Sequence, residues 1–442
     1  MDTTVTVIGA GLAGCEAAWQ LAEKGISVCL NEMKPNKRSP AHISGSFAEL
    51  VCSNSFRSNE LTNAVGLLKE EMRRLGSLIM QAADKTKIPA GGALAVDRER
   101  FADLVTKIIK SHPLITIKEK EVDEIPEGKV IIATGPLTSD DLACKIAKLA
   151  PDIKMLNFFD SAAPIVTLES IDMENAFFAS RYDKGDADYI NCPMDKEQYL
   201  AFYEALISAE KAPVHGFEEK MVFEGCIPVE VMAKRGEDTI RYGPLKPVGL
   251  RDPKTGTEPY AVVQLRKDNA EGTLYNMVGF QTHLKFNEQN RVFGMIPAIK
   301  NADIVRYGVM HRNTYLDSPK LLDRFYRLKQ NTLIRFAGQI TGVEGYVESA
   351  ASGLLCGLET AHEIQGKPPV GFPDETAIGA LAHYISTGAI SDFQPMNVNF
   401  GIIKPLDTKV KGKRNKNLAI SERSLQMIDR IVKGDLKSEN NN

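Results

Sequence analysis

The sequence predicts an α/β fold in which a Rossmann-like domain of the glutathione-reductase type is interrupted by an inserted α+β domain. Three observations predict it: a strand–glycine–helix unit at the start, two later strand–glycine units, and a change of pattern between them. The chain has 442 residues, 43% apolar and 25% charged, as in globular proteins with a sizeable core. We expect the Rossmann-like domain at residues 1–160 and 291–442, with the insertion at 161–290.

The first unit is the glycine motif of residues 9–14. Residues 4–8 form a β-branched run typical of a buried strand, and Gly-Ala-Gly-Leu-Ala-Gly follows at once. This spacing permits a tight turn, close approach of the backbone to a pyrophosphate, and packing of a helix on the strand. A second strand, 26–31, ends at Glu32, where an acid can bind a ribose hydroxyl. The motif predicts a bound dinucleotide, the alternative being an ordinary glycine turn; the predicted contacts are Gly9, Ala10, Gly11, Leu12, Ala13, Gly14 and Glu32.

Two later units have the same character. Residues 129–136 form a buried strand ending in Ala-Thr-Gly, which could also be any tight turn, and residues 333–345 form a strand and a glycine-rich turn. Three such units on one ligand favour FAD over NAD, because NAD domains rarely need the far end of the chain. A helix from residue 346 would direct its partial positive charge at the flavin. The further predicted contacts are Thr134, Gly135, Gly338, Gln339, Gly345 and Tyr346.

The intervening sequence predicts more strands and few helices. Asp97 is placed to cap a helix over 98–110, and Glu121–Ile125 suits a short strand. The insertion has short β-like runs and one helix-like stretch, 196–211. It contains no second G-x-G-x-x-G motif, so a nicotinamide reductant would bind transiently near the first cofactor.

Composition excludes several classes of protein. The seven cysteines are scattered without a C-x-x-C pair, which predicts free thiols in the reducing cytoplasm. No stretch reaches the roughly 18 apolar residues of a membrane helix, and the apolar start of the chain is the nucleotide motif rather than a signal peptide. The seven histidines form no ligand cluster, so we predict no metal.

The end of the chain is basic although the whole carries a net charge of −3. Residues 404–437 contain ten lysines and arginines against four acids. Such a concentration is typical of contacts with a nucleic-acid backbone, the alternative being a solvated tail. The predicted nucleic-acid contacts are Lys409, Lys411, Lys413, Arg414 and Lys416.

At this point the sequence resembles the folate- and FAD-dependent tRNA (uracil-5-)-methyltransferases, the TrmFO family. The resemblance runs nearly the whole length. It is carried by GAGLAGCEAAWQLA (9–22), FAELVCSNS (47–55), KEEMRRLGSLIMQAAD (69–84), IPAGGALAVDRE (88–99), VIIATGPLTS (130–139), YINCPM (189–194), GPLKPVGLRDPKTG (243–256), NADIVRYGVMHRNTYLDSP (301–319) and AGQITGVEGYVESAASGLLCGL (337–358). GidA-type flavoproteins, which modify wobble uridines, share the first and last motifs but lack YINCPM and GPLKPVGL.

The resemblance implies the reaction. A methylene group from methylenetetrahydrofolate goes to C5 of the T-loop uridine of tRNA, reduced FAD supplies electrons, and NADPH or NADH regenerates it. It implies that Cys226, in FEGCIPVE, is the nucleophile and Cys52, in VCSNS, a general base or partner. The implied partners are tRNA, folate and a nicotinamide nucleotide in the cytoplasm.

Three other functions stay open: modification of wobble uridine, oxidation or reduction of a small molecule, and non-catalytic binding of tRNA by a flavoprotein. The basic end of the chain counts against the small-molecule enzyme. Cys192 is left unassigned, whereas Cys15, Cys29, Cys144 and Cys356 lie in helix or strand patterns and are expected to be structural.

Overall fold

The computed structural model describes residues 4–39, 41–149, 155–183, 186–212, 227–388 and 393–434. These residues form two main β-sheets, each with its own apolar core. The strands are β1 Val5–Ile8, β2 Val28–Asn31, β3 Ser55–Ser58, β4 Lys87–Ile88, β5 Ala93–Val96, β6 Ile115–Lys118, β7 Val130–Ile132, β8 Met155–Ser161, β9 Ile165–Thr167, β10 Phe177–Ala179, β11 Tyr189–Met194, β12 Ala261–Lys267, β13 Leu274–Met277, β14 Ile304–Arg306, β15 Met310–Leu316, β16 Arg327–Leu328 and β17 Asn331–Phe336. The α-helices are α1 Leu12–Glu23, α2 Ala64–Arg74, α3 Leu78–Lys85, α4 Arg98–Ser111, α5 Asp140–Ala147, α6 Lys196–Ser208, α7 Val229–Ala233, α8 Glu237–Tyr242, α9 Phe286–Phe293, α10 Ser318–Leu321, α11 Tyr346–Ile364, α12 Ala377–Ser386 and α13 Lys413–Lys433.

The first sheet is the predicted parallel sheet. Its strand order is β16-β17-β7-β1-β2-β6, and every pair except β16–β17 is parallel. Ile8 lies opposite both Asn31 and Ile132, so β1 is the central strand between the second and third predicted strands. Strands β7 and β17 return to this sheet from far along the chain, which confirms that it is built from separated segments.

Helices α1 and α11 cross at very close range over this sheet. A Cβ atom at Gly353 would overlap the Ala13 carbonyl, and one at Gly357 would come within 2.8 Å of the Ala17 carbonyl oxygen. These two positions of α11 pack on the backbone of α1, because only glycine lets two helices approach so closely.

Two buried glutamates connect helices around the first core by hydrogen bonds. Glu16 of α1 accepts hydrogen bonds from the Ser77 hydroxyl (2.7 Å) and the Ile79 N–H (2.9 Å) at the start of α3. Glu71 of α2 accepts from the N–H groups of Ala377 (2.7 Å) and Ile378 (2.9 Å), the first residues of α12. Carboxyl oxygens at these positions accept hydrogen bonds from N–H groups that a helix N-terminus leaves unpaired.

Replacing Glu71 with leucine is expected to destabilise the protein by about 2 kcal/mol or more, because two buried N–H groups of α12 and the Ser424 hydroxyl of α13 lose their acceptor. The measurement is the free energy of unfolding in urea. Glu70→Leu is the matched control, since Glu70 makes only surface ion pairs with Arg73 and Arg74. Equal stability of the two variants would contradict the role of Glu71.

The same glutamate also predicts a pH dependence. Burial raises the pKa of Glu71 to about 7 from an ordinary value of 4.5. The folded chain therefore holds a proton that the unfolded chain releases, so this contribution to stability is complete below about pH 4.5 and is lost as the pH rises through 7. Glu71→Gln should flatten that part of the stability profile between pH 4.5 and 7, as measured by urea unfolding at each pH.

The second sheet is antiparallel, with strand order β10-β11-β12-β13-β9-β14. Ile190, Cys192 and Met194 alternate along β11 and point into the second core. Cys192 is fully buried there, and burial raises the pKa of its thiol to about 12. This cysteine is therefore a core residue. The domain limits at 160 and 290 stay predictions, although the second sheet takes in β14 at 304–306.

The opposite face of the second sheet is polar. It faces the part of the chain built on the first sheet; the parts built on the first and second sheets are called the first and second structural units. Arg266 and Asn276 lie directly opposite each other on β12 and β13. Arg266 donates hydrogen bonds to the Ser53 hydroxyl (2.8 Å) and the Asn54 side chain (2.9 Å). The two units therefore meet through hydrogen bonds around the segment that carries Cys52.

The structure differs from the sequence predictions in two other places. Glu121–Ile125 is not a strand, because Glu121 turns to an ion pair with Lys37 (2.7 Å) and Glu124 to one with Lys145. The basic end of the chain is not a loose tail where it is described, since α13 packs on α2, with Arg74 and Asp429 2.8 Å apart. Asp97 caps α4 as predicted, accepting from the Arg100 N–H at 2.9 Å. In the described ranges no helix is long and apolar enough to span a membrane.

Candidate cofactor pocket and active site

The main candidate site is an open cavity of about 1090 Å³ at the carboxyl edge of the first sheet. Its walls come from the segments that follow β1, β2, β6, β7 and β17. Ligands of open parallel sheets bind at this edge, where the loops after neighbouring strands meet. Ten of the thirteen predicted cofactor contacts line it: Gly9, Gly11, Leu12, Ala13, Glu32, Thr134, Gly135, Gly338, Gln339 and Tyr346.

The three glycines of the first motif have different surroundings. Gly9 has φ +98°, and a Cβ atom there would come 2.7 Å from the Ala133 carbonyl oxygen. At Gly14 a Cβ atom would overlap the Gly9 carbonyl oxygen, so this glycine allows α1 to pack on the turn. A Cβ atom at Gly11 would meet nothing within 4 Å and would project into open space beside the cavity. Gly9 and Gly14 shape the turn, whereas Gly11 leaves room for a ligand.

The start of α1 provides donors for an anionic ligand. Gly11 caps the helix without a side-chain hydrogen bond, and its first turn contains no acid. Backbone N–H groups and the helix dipole at such a terminus favour phosphate groups. The open space at Gly11 and these donors fit the pyrophosphate of a dinucleotide.

Glu32 lines the cavity and is also hydrogen-bonded to the glycine turn. One carboxylate oxygen accepts from the Ala10 N–H at 2.7 Å and the other from the Lys34 N–H at 3.0 Å. Each oxygen keeps a second lone pair for a ribose hydroxyl. Ala10 thus acts through Glu32 and does not line the cavity; Gly14 and Gly345, which also do not, serve packing and the start of α11.

Helix α11 begins at the other end of the cavity and reaches Cys52. The Tyr346 hydroxyl accepts hydrogen bonds from the N–H groups of Cys52 (2.8 Å) and Ser53 (3.1 Å). Burial raises the pKa of Tyr346, so its hydroxyl stays protonated. Val51, immediately before Cys52, lines the cavity with Tyr346. The backbone of Cys52 is therefore held by the first residue of a helix that also lines the cavity.

Three arginines surround the same segment, and the sequence did not reveal them. Arg98 donates to the Leu50 carbonyl and pairs with Asp268 at 3.0 Å. Arg306 donates to the Val51 carbonyl, and Arg266 holds the two residues after Cys52. The charges of Arg98 and Arg266 interact with the Cys52 thiol. Nearby positive charge favours a thiolate, the reactive form of cysteine.

The described cysteines divide clearly by environment. Burial raises the pKa of Cys15 and Cys356 well above the usual range, so both thiols stay protonated as structural residues. Cys144 is exposed on α5. Cys52 is half-buried and directly follows Val51, which lines the cavity. Cys226, the other predicted catalytic residue, lies outside the described residues, so its distance from Cys52 stays untested.

The predicted nucleic-acid contacts lie at the start of α13. Lys409, Lys411, Lys413, Arg414 and Lys416 are all exposed. Asn417 donates to the Thr62 carbonyl at 3.0 Å and Ser421 to the Leu61 carbonyl at 2.7 Å, which fixes this end of the helix against the chain before α2. The cations therefore project from an anchored helix terminus. The described residues hold no cluster of three or more potential metal ligands.

Other proteins are similar to this chain in sequence and in fold. A family model described as glucose inhibited division protein A matches residues 4–368. The methylenetetrahydrofolate--tRNA-(uracil-5-)-methyltransferase TrmFO of Listeria monocytogenes serotype 4b is 59% identical over 98% of this chain and 99% of its own. The protein of the same name from Acetivibrio thermocellus is 61% identical over 97% and 98%.

Among solved structures, GidA from Aquifex aeolicus superposes with a TM-score of 0.70 at 16% identity, covering 99% of this chain and 75% of that one. This likeness confirms the predicted α/β fold. The family match and the full-length identities lead to one conclusion. The chain belongs to the glucose inhibited division protein A family and, within it, to the TrmFO group.

Proposed function

We propose that this chain methylates C5 of the T-loop uridine of tRNA, with methylenetetrahydrofolate as the one-carbon donor and FAD as its cofactor. The observation that carries the proposal is the identity of about 59% over nearly the whole chain with relatives named for this reaction. The cavity supports it, because its glycine turns and Glu32 suit a dinucleotide and its lining residue Tyr346 binds the backbone of Cys52.

The chemistry requires an activated cysteine. Uridine C5 is a weak nucleophile until a thiolate adds to C6 and turns the ring into an enolate; the C5 proton must leave after carbon transfer. We assign the addition to Cys226 and proton removal to Cys52, as the family resemblance implies. Tyr346 holds the Cys52 backbone, while Arg98 and Arg266 supply the positive charge that favours its thiolate.

Bound FAD, in its reduced form, supplies the electrons that turn the transferred methylene group into a methyl group. Within the chain, Gly11 and the start of α1 would hold its pyrophosphate, Glu32 its ribose, and the region of Gln339 and Tyr346 its ring system. NADPH or NADH restores the reduced cofactor. We place the reaction in the cytoplasm, in keeping with the free thiols of the described cysteines.

One experiment tests the function directly. Protein, unmodified tRNA transcript, labelled methylenetetrahydrofolate and NADPH are incubated, and the tRNA is digested to nucleosides. Label in 5-methyluridine is the expected result, and a transcript with cytidine in place of the T-loop uridine should stay unlabelled. Label confined to the wobble uridine would assign the chain to the other reaction, and absence of label from tRNA would refute methylation.

Charge reversal at the start of α13 should weaken tRNA binding. We expect the double variant Lys413→Glu, Lys416→Glu to lower affinity for all tRNA sequences alike and to reduce the slope of log K against log salt by about 1 for each lost phosphate contact. Binding is measured by filter retention over a range of salt concentrations. Lys85→Glu with Lys107→Glu, two exposed lysines of α3 and α4, is the control; an equal loss in both would show an unspecific charge effect.

A further inference from the structure

Two aromatic rings stack on the surface where α9 meets the turn after β14. The Phe286 and Tyr307 ring centroids are 4.5 Å apart and the planes differ by 23°. Phe286 is 54% exposed although it opens α9. Neither ring belongs to the two main apolar cores, so packing of the described chain does not account for the pair.

The pair is rigidly held. The Asn290 side chain lies within hydrogen-bond distance of the Tyr307 hydroxyl at 3.0 and 3.2 Å. Gln289, fully buried, bonds to both the N–H and the carbonyl of Gly308 at 2.8 Å. These bonds join α9 to the turn after β14, so both rings are fixed before any partner arrives, which lowers the entropy cost of binding.

The pair is connected along the chain to a residue that binds the Cys52 segment. Tyr307 directly follows Arg306, whose guanidinium binds the Val51 carbonyl next to Cys52. Neither ring lines the cofactor cavity, however. Small ligands bind in concave sites that enclose most of their surface. An open, flat aromatic surface outside the cavity suits a planar group that belongs to a large partner.

We propose that Phe286 and Tyr307 form a stacking platform for a nucleobase of the tRNA loop that carries the target uridine. The proposal rests on the proposed function. Single-stranded loop bases are commonly splayed out and stacked on aromatic side chains. Lys285 and Arg291 flank the platform and pair with Glu210 and Glu288, and the exposed Lys285–Glu210 pair is one for which a phosphate can compete.

The test compares substitutions at Phe286. Phe286→Ala is expected to weaken tRNA binding about 5- to 100-fold, the range for loss of one base stack. Phe286→Trp should restore binding because it keeps a flat ring, whereas Phe286→Leu should not. Phe178→Ala is the matched control, since Phe178 is 49% exposed on β10, at the other edge of the second sheet from β14.

Three readouts separate the outcomes. The KM for tRNA should rise in Phe286→Ala while the KM for methylenetetrahydrofolate and the rate of flavin reduction by NADPH stay unchanged. The wild-type chain has one tryptophan, so added emission in Phe286→Trp reports the platform and should be quenched by tRNA. An unchanged KM for tRNA, equal effects of Phe286→Ala and Phe178→Ala, or a raised KM only for the folate or NADPH would overturn the platform. A wild-type protein that binds tRNA without methylating it would refute the proposed function and leave the platform testable by binding.

Discussion

Alanine at Gly14 is expected to abolish FAD binding together with the native fold. Its Cβ atom would overlap the Gly9 carbonyl oxygen, which is backbone and cannot move without breaking the turn between β1 and α1. Most of the expressed variant protein should be insoluble and should lack the yellow colour of bound flavin. Melting temperature and flavin absorbance of any soluble fraction are the measurements.

Gly11→Ala is the matched comparison. Gly11 has φ −75°, which alanine adopts freely, and its Cβ atom would meet nothing within 4 Å. We expect this variant to fold normally but to bind FAD at least about tenfold more weakly, because the methyl group occupies space beside the pyrophosphate donors. Normal FAD affinity in Gly11→Ala would show that the cofactor does not approach this turn.

The second large effect is expected at Cys52. Cys52→Ala should reduce methyl transfer by about 100-fold or more, the usual cost of losing a general base. Flavin content and its reduction by NADPH should stay at wild-type values, because Cys52 bonds to Tyr346 through its backbone N–H, which alanine keeps. The measurements are 5-methyluridine formation and single-turnover flavin reduction.

Two further variants sharpen this result. Cys144→Ala, an exposed thiol on α5, should leave methyl transfer unchanged. Cys226→Ala should abolish both turnover and the covalent complex with tRNA while FAD stays bound, whereas Cys52→Ala should still form that complex. If Cys52→Ala loses the covalent complex and Cys226→Ala retains it, the two cysteines have the opposite roles.

The parts of the site that depend on local backbone geometry were predictable. A glycine at position 9 is required by a positive φ, and one at position 14 by contact with that turn, so both are visible as a spacing in the sequence. The strands that return at β7 and β17 were recognisable for the same reason, since each is a buried run that ends in a glycine turn.

The surroundings of Cys52 were not predictable in this way. Arg98, Arg266 and Arg306 come from a helix and two strands of the second sheet, and each is recognisable only by the carbonyl or side chain it reaches. No periodicity marks such residues, because their common partner is a loop far away in sequence. Cys192 shows the same limit: its role followed from the alternation along β11, which required the strand to be placed in a sheet.

The Cys52 segment is held from two sides that belong to different parts of the molecule. Tyr346 belongs to the first unit, together with the cofactor cavity, whereas Arg266 and Arg306 belong to the second sheet. The backbone position of this cysteine and part of the positive charge around it therefore depend on different units, and the site is complete only where the two meet.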